Sequence, residues 1–473
     1  MDLKINGIPE KVKKIHLTAI CGTAMGALAC MLRDMGYGVT GSDQKVYPPM
    51  STFLARKGIQ ILDGFRPENI AHEPDLVIIG NTIKKENPEV AAVREKGIAF
   101  CSMPQALNHF AAKGKKTLLI AGTHGKTTTS SLLAWVLYFA GLDPSFMIGG
   151  ILKNFDSNYR LGEGPFFVIE GDEYDTAFFD KGPKFMHYAP AIAALTSVEF
   201  DHADIFTDLD HVRRIFQNFI DALPPESTLI AFDADSNIDR LIPNPSDRVS
   251  RYGRKPESSW RLGEISIHPP EIEFEVFKKG ASFGQFKTRL PGEHNLFNIL
   301  AVIGIADSLG ISGPVIAEAL ERFEGVKRRQ EIRGIRHGIT VMDDFAHHPT
   351  AVRETLRALK PFYPDGRVIA VFEPRTNSSM RDVFQDIYPG SFDAADLICI
   401  RQPPLLEKIP VGHRFSSEKL VDDLKHRGKT AHFFPNTDDI IAFLTAEAKT
   451  GDLVLVMSNG GFDNIHERLL EIL

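Results

Sequence analysis

Lys116-Thr117-Leu118-Leu119-Ile120-Ala121-Gly122-Thr123-His124-Gly125-Lys126-Thr127-Thr128-Thr129 passes from an apolar run through a glycine loop into a lysine and three hydroxyls. An apolar-periodic run over 130–140 follows, so the order reads strand, loop, helix. Chemistry on a triphosphate needs this arrangement. Glycines at 122 and 125 let backbone N–H groups turn inward around phosphate oxygens, and the helix N-terminus adds the positive end of its dipole. Lys126 is placed to reach the terminal phosphates, and the Thr127 hydroxyl to hold Mg²⁺. Thr123, His124 and Thr128 complete the loop. A strict P-loop would carry its first glycine at 120, where this chain has Ile120, so the loop is a shortened variant unlike that of an ordinary GTPase or ATPase. The competing reading is a glycine turn followed by a surface lysine.

Outward from this loop, alternating strand and helix patterns fill both flanks. Strands are expected at 15–20, 39–43, 76–79 and 98–101, with helices at 25–35 and 88–96. The short basic run 111–116 reads as a linker. After the loop, strands are expected at 166–170, 191–198 and 228–232 and a helix at 209–222. Around 265–290, Ile272, Phe274 and Val276 alternate with charged residues, the period of an antiparallel ribbon. Helices return at 295–309 and 314–323. A third alternating unit has strands at 339–342, 368–372, 397–400, 432–434 and 453–457 and a last helix at 462–473. The fold class is α/β with three domains: a Rossmann-like N-terminal unit (1–112), a central P-loop ATP-binding unit (113–326) and a C-terminal Rossmann-like unit (327–473).

Composition narrows the function. The chain has 473 residues, 43% hydrophobic and 24% charged, as in globular proteins. A net charge of −7 gives no reason to expect nucleic acid as a partner. Cys21, Cys30, Cys101 and Cys399 lack metal-ligand spacing and are expected as reduced thiols. Residues 1–14 lack the apolar core of a signal peptide, and the most apolar windows are too short to span a bilayer. A cytoplasmic protein without membrane insertion is the expectation.

Three further places carry chemistry. Cys21-Gly22-Thr23-Ala24-Met25-Gly26 follows the first strand, and Asp43 lies about twenty residues on, as in dinucleotide folds. Position 24 is Ala24, and the full glycine set of a nicotinamide site is missing. That leaves a nucleotide diphosphate or a turn used only for packing. Glu170-Gly171-Asp172-Glu173-Tyr174-Asp175 puts carboxylates at a strand end beside the phosphate loop, where a nucleotide-bound Mg²⁺ needs a ligand. Glu199-Phe200-Asp201-His202-Ala203-Asp204 ends the next strand, and His202 reads either as a metal or phosphate ligand or as a polar loop residue. In Asp343-Asp344-Phe345-Ala346-His347-His348-Pro349, adjacent histidines on an extended segment point to opposite faces, so at most one faces a given cleft.

Gly122–Thr128, Glu170 with its acidic run, Asp201-His202, Gly292-Glu293-His294-Asn295-Leu296-Phe297-Asn298, Arg328-Arg329 and Asp343-Asp344 stand in the order found in the Mur ligases, and the resemblance covers essentially the whole chain. Val46-Tyr47-Pro48-Pro49-Met50-Ser51-Thr52, Glu173–Asp180, Glu199–Asp204 and Ser458-Asn459-Gly460-Gly461-Phe462 resemble the peptidoglycan-recycling branch. That branch joins UDP-N-acetylmuramate to the tripeptide L-alanyl-γ-D-glutamyl-meso-diaminopimelate. The resemblance implies ATP and Mg²⁺ as cofactors, with Gly22, Thr23, Met25, Gly26 and Asp43 on the UDP-sugar. It places Lys126 on the β and γ phosphates, Thr127 and Glu170 on Mg²⁺, and His202 on a second metal or the phosphate. Asn295 and Asn298 would meet the adenine side, and Arg329 and Asp344 the nucleotide. His347 or His348 would lie near the incoming amine, with Arg375 and Asn377 on the peptide. Lys126, His202, Arg329 and His348 form the catalytic set, in a monomer or weak homodimer.

Two departures bear on this. Several Mur ligases carry a carbamoylated lysine after the Asp-His motif, and no lysine occurs between His202 and Ala222. The alanine-adding members have Phe-Gln-Pro-His-Arg where this chain has Phe372-Glu373-Pro374-Arg375-Thr376-Asn377, which points to a larger amine. Arg375 suits an acceptor carboxylate, or equally a surface salt bridge. The alternatives are UDP-N-acetylmuramate–L-alanine ligase and, more distantly, a P-loop switch that hydrolyses nucleotide without a UDP-sugar.

Overall fold

A computed structural model describes residues 5–44, 46 and 50–473. Tyr47, Pro48 and Pro49 of the branch-like segment lie outside the described residues. The chain forms two compact units: Met1–Val198 with Arg213–Arg251 and Ala301–Ala319, and Glu199–Val212 with Tyr252–Leu300 and Leu320–Leu473. Among the described residues no helix is long and apolar enough to cross a membrane.

The first unit holds a five-stranded parallel sheet in the order Gln60–Asp63, Gly38–Asp43, Lys14–Thr18, Leu76–Ile79, Phe100–Ser102. The order reverses on either side of Lys14–Thr18, so the strand ends beside it open the crevice in which such folds bind ligands. Glycines make room there. A Cβ on Gly41 would sit 2.4 Å from Ile20 Cδ1, and one on Gly80 would sit 2.8 Å from Thr18 O.

In the same unit the strands Thr228–Phe232, Ile192–Leu195, Lys116–Ala121, Phe166–Gly171, Ser145–Leu152 and Ser157–Arg160 run side by side. Only the last pair is antiparallel. Lys116–Ala121 is central and buried from Thr117 onward, which explains its unbroken apolar text. The strand expected over 191–198 stops at Leu195. Past Leu195 the backbone still reaches its neighbour, Thr196 N donating to Ala121 O at 3.0 Å, while the Thr196 and Ser197 hydroxyls turn to the glycine loop. The expected linker at 111–116 is tied down, with Lys115 Nζ donating to Gly162 O and Gly164 O at 2.7 and 2.6 Å.

The second unit contains the antiparallel ribbon Trp260–His268, Glu271–Lys278, Ala281–Thr288. Ile272, Phe274 and Val276 face inward and are buried, as their alternation requires. Its other sheet runs Glu331–Arg336, Ile339–Asp344, Leu453–Met457, Val368–Phe372, Leu397–Arg401, Thr430–Phe434, parallel except at the first pair. Period two splits its core: Val368, Ala370 and Phe372 pack with Val352, Leu356, Leu420 and Leu424, while Ile369 and Val371 pack with Ile440, Leu444, Ile465 and Leu469. Each such burial contributes about 1.5–3 kcal/mol. The last helix begins at Ile465 rather than 462, because Phe462, Asp463 and Asn464 hold φ of 45, 48 and 55°. That left-handed stretch cannot continue an α-helix.

Candidate active site

The glycine loop is fixed by its backbone and by the neighbouring strand end. Gly125 holds φ 82° as N-cap of the helix Lys126–Phe139, a conformation a side chain would strain. Gly122 has φ 133°, and a Cβ there would stand 2.2 Å from Thr196 Oγ1 and 2.8 Å from Ser197 N. Thr123 N donates to Ser197 O at 3.0 Å and His124 N to Ser197 Oγ at 2.9 Å. Thr196 Oγ1 donates to His124 O at 2.5 Å. The strand end Ile192–Leu195 thus clamps the loop from its neighbour, a contact the sequence pattern did not reveal.

Around the helix start, Lys126 Nζ donates to Gly122 O at 2.6 Å and to Glu173 Oε2 at 2.8 Å. Burial alone would lower the Lys126 pKa, but the charges of Glu173, Asp172 and Glu170 hold it above the ordinary lysine range. Lys126 is therefore a fixed cation. Thr127 Oγ1 donates to Glu170 Oε2 at 3.2 Å, and Glu170 Oε1 accepts Gly149 N at 2.7 Å. A hydroxyl and a carboxylate this close fit a divalent cation's preference for oxygen ligands. Thr128, half-buried, follows on the same helix.

At the N-terminal crevice Gly22 caps the helix Thr23–Asp34, and Asp43 Oδ2 accepts Cys21 N at 2.9 Å. Asp43 shapes the turn with that oxygen. Met25 is buried, and a Cβ on Gly26 would lie 2.5 Å from Met50 Cε, so these two positions pack the helix onto its neighbour. Asn158 Nδ2 donates to Thr23 O at 3.4 Å.

The second unit gathers segments far apart in sequence. Asp201 Oδ1 accepts Ser378 Oγ at 2.7 Å and His202 N at 2.7 Å, and Ala203 N donates to Ser378 Oγ at 3.1 Å. Asn377 Nδ2 donates to Asp204 Oδ2 at 2.7 Å. His202 holds φ 52°, so the backbone turns sharply at the motif. Burial would raise the Asp201 pKa, but the neighbouring His347, then His202 and His348, hold it well below the usual carboxylate range. His347 Nε2 lies 3.8 Å from Asp201 Oδ2.

Both histidines reach the 199–201 stretch, contrary to the opposite-face expectation, because the chain turns into a helix at His348. That residue caps Pro349–Leu359, its Nδ1 accepting Thr350 N at 3.2 Å and its Nε2 bonding Phe200 O at 3.0 Å. His348, expected in the catalytic set, also has its Nδ1 3.6 Å from Glu199 Oε2, and His347 Nδ1 bonds Phe345 O at 3.0 Å.

Asn298 Nδ2 donates to Asn295 Oδ1 at 3.2 Å, and Asn295 Nδ2 donates to Gln330 Oε1 at 3.2 Å. Gln330 N and Ala346 N donate to Asp344 at 2.8 and 2.7 Å. Burial pushes Asp344 up against the opposing charge of Arg329, whose guanidinium lies 4.6 Å from the Phe345 ring. At the sheet's carboxyl end Arg375 Nη1 lies 3.6 Å from buried Glu373, and the arginine covers Gly460, where a Cβ would meet its Cδ at 2.3 Å. Arg401 also pairs with Glu373, and its Nη2 donates to Asp463 at 2.7 Å. Sequence reading had not singled out Arg401 and had assigned no role to Glu373; nothing but the fold joins them.

Three family models cover the chain in order: "Mur ligase family, catalytic domain" at 14–115, "Mur ligase middle domain" at 120–306 and "Mur ligase, glutamate ligase domain" at 328–460. A relative from Escherichia coli (strain K12) is 40% identical over 463 residues, spanning 97% of this chain and 98% of its own. The chain belongs to the Mur ligases. It is thus an ATP-dependent ligase that forms carbon–nitrogen bonds. The E. coli Mur ligase is named UDP-N-acetylmuramate--L-alanyl-gamma-D-glutamyl-meso-2,6-diaminoheptandioate ligase. A murein peptide ligase from Psychrobacter arcticus 273-4 matches at 34% identity and TM-score 0.73, with 97% of this chain and 98% of that one covered. A UDP-N-acetylmuramate-alanine ligase from Thermotoga maritima matches at 26% identity and TM-score 0.81, covering 98% and 99%. Backbone similarity and identity rank these two Mur ligases in opposite order. Identity is the better guide to the acceptor, since the fold is common to the family and the acceptor is chosen by side chains.

Proposed function

We propose that this Mur ligase joins the lactyl carboxylate of UDP-N-acetylmuramate to the amino group of L-alanyl-γ-D-glutamyl-meso-diaminopimelate, at the expense of ATP, in peptidoglycan recycling. The observation that carries the nucleotide half is the loop in which Gly122 and Gly125 hold left-handed φ beside a largely enclosed, charged Lys126. The acceptor half is supported by 40% identity to the E. coli ligase of that name and by Arg375 at the carboxyl end of a parallel strand.

The chemistry follows. A carboxylate is a poor acylating agent because its leaving group would be oxide. Its oxygen attacks the γ-phosphorus, ADP departs, and the resulting acyl phosphate is attacked by the amine with loss of phosphate. Lys126 neutralises charge on the transferring group. Thr127 and Glu170 would hold Mg²⁺, which when bound shares that task, and His202 would serve a second metal or the phosphate. Asn295, Asn298, Arg329 and Asp344 would address the nucleotide, and Gly22, Thr23 and Asp43 the UDP-sugar. Arg375, Asn377 and His347 would receive the peptide. In this reading residues 1–112 bind the sugar, 113–326 the ATP and 327–473 the acceptor, and the reaction runs in the cytoplasm.

The test is phosphate release from ATP with UDP-N-acetylmuramate present and either tripeptide or alanine added. Turnover confined to the tripeptide supports the assignment; preference for alanine replaces it with the alanine ligase, and hydrolysis indifferent to both acceptors sinks it.

A further inference from the structure

Lys126 has a partner the phosphotransfer scheme does not use. Its Nζ lies 2.8 Å from Glu173 Oε2, with side-chain exposures of 12% and 2%, so the pair is nearly dry. Glu173 is held there from both sides. On one, the strand Phe166–Gly171 delivers it three residues after Glu170. On the other, the hairpin Asp175–Ala177 and Asp180–Pro183 is anchored away from the loop. Lys184 Nζ donates to Asp172 Oδ2 and Tyr174 Oη at 3.0 Å each and lies 4.1 Å from the Tyr174 ring centre. At the hairpin tip Phe178 and Phe179 pack on the N-terminal core of Val77, Ile79, Val90 and Phe100, with the Phe179 and Phe100 ring centres 4.9 Å apart. The two carboxylates thus divide the site: Glu170 faces the Thr127 hydroxyl and Glu173 faces the ammonium.

An ammonium carries three donors, and Gly122 O already takes one. A triphosphate in the loop draws on the same ammonium as Glu173. Resting on the reading of Lys126 as the phosphate-binding lysine, we propose that Glu173 is a positioning residue: a built-in counter-ion that competes with the triphosphate for Lys126 and thereby sets ATP affinity. The pair keeps a buried cation satisfied, and its replacement by phosphate makes the lysine's engagement conditional on nucleotide. Affinity for ATP is reduced by the fraction of molecules in which Lys126 is held by Glu173.

The experiment titrates Mg·ATP into the full chain at equilibrium, without UDP-sugar or acceptor, for wild type, Glu173→Gln and Glu173→Asp. Thermal melting with and without ATP is followed on the same samples. E173Q is expected to bind ATP about five- to tenfold more tightly, with E173D between it and wild type. ATP is expected to raise the melting temperature of E173Q by more than that of wild type, because only in the variant does phosphate supply the missing counter-charge. The Mg²⁺ concentration for half-maximal ligation stays at the wild-type value. Unchanged or weaker ATP binding by folded E173Q overturns the proposal, and so does a raised Mg²⁺ requirement, which would make Glu173 a metal ligand. If E173Q does not fold, the same outcomes are read from E173D. Wild type that fails to bind ATP would instead overturn the reading of the loop itself.

Discussion

The glycine loop and the corner around Asp201 and Arg375, proposed here for the acceptor, are both polar sites at the carboxyl ends of parallel strands, yet they are assembled differently. The loop's reacting groups come from one stretch, 122–127, and a strand immediately beside it; two glycines and a helix start set their positions. That corner draws Asp201, His347, Arg375, Ser378, Arg401 and Ser458, whose Oγ donates to Glu373 Oε1 at 2.7 Å, from segments up to 257 residues apart, and each is placed by the sheet rather than by its neighbours in sequence. A site made locally is fixed by backbone conformation. A site made at long range is fixed by packing and by how its buried charges are shared. Under the proposed function, substitutions in the first are expected to act on the chemistry, and substitutions in the second on selectivity and stability.

The largest effect should follow Lys126→Ala. If Lys126 neutralises the transferring phosphoryl group, ligation falls by about three orders of magnitude or more with the fold intact. A variant that keeps more than a tenth of wild-type phosphate release would remove the loop from the chemistry. Arg375→Ala tests the other region. It should raise the Michaelis constant for the tripeptide by about ten- to a hundredfold, the worth of a charged hydrogen bond, and leave those for ATP and UDP-N-acetylmuramate near wild type. Three unchanged constants would make the Arg375–Glu373 contact a purely structural one.

Glu170→Gln sharpens the division between chemistry and selectivity. The Mg²⁺ concentration at half-maximal rate should rise on the order of tenfold while UDP-sugar binding is unaffected, because Glu170 touches Thr127 and not the N-terminal crevice. An unaltered Mg²⁺ titration would make Glu170 a structural carboxylate that supports Gly149 and Thr127.

The smallest effect on activity, and a clear one on stability, is expected at His466, which lies 3.5 Å from Asp343 beneath the second unit's sheet. Burial, then Arg333, lowers its pKa from 6.5 to about 4, and burial pushes Asp343 up as well, so the two meet without forming a strong ion pair. The sign follows from where the proton goes. The unfolded chain binds a proton that the folded chain refuses, so stability from this group is full above pH 6.5 and is lost as pH falls towards 4. The loss is at most about 3 kcal/mol. His466→Gln should flatten that part of the urea-unfolding profile and leave neutral-pH turnover near wild type. An acid limb as steep as before would show that other groups carry it.

Strands and helices with unbroken apolar periodicity were legible residue by residue: 76–79, 228–232, 368–372, 453–457 and the helix 209–222 lie where their patterns put them. Misplaced boundaries share a cause. Thr196 and Ser197 look like continuing strand but turn aside to clamp the loop, and Phe462 looks like helix but adopts left-handed φ. Side-chain hydrogen bonding and backbone strain leave no periodic trace.

What the sequence determined by itself is the local chemistry: glycines that alone tolerate φ of 133 and 82°, a lysine at the helix start, and carboxylates at a strand end. These follow from covalent geometry within a few residues. Tertiary structure alone decided how like groups were divided. It turned Glu170 to a hydroxyl and Glu173 to an ammonium, and committed His348 to a helix cap while His347 approached Asp201. Such choices are made by which partner lies within 3 to 4 Å, and that distance is set by packing between segments the sequence keeps far apart.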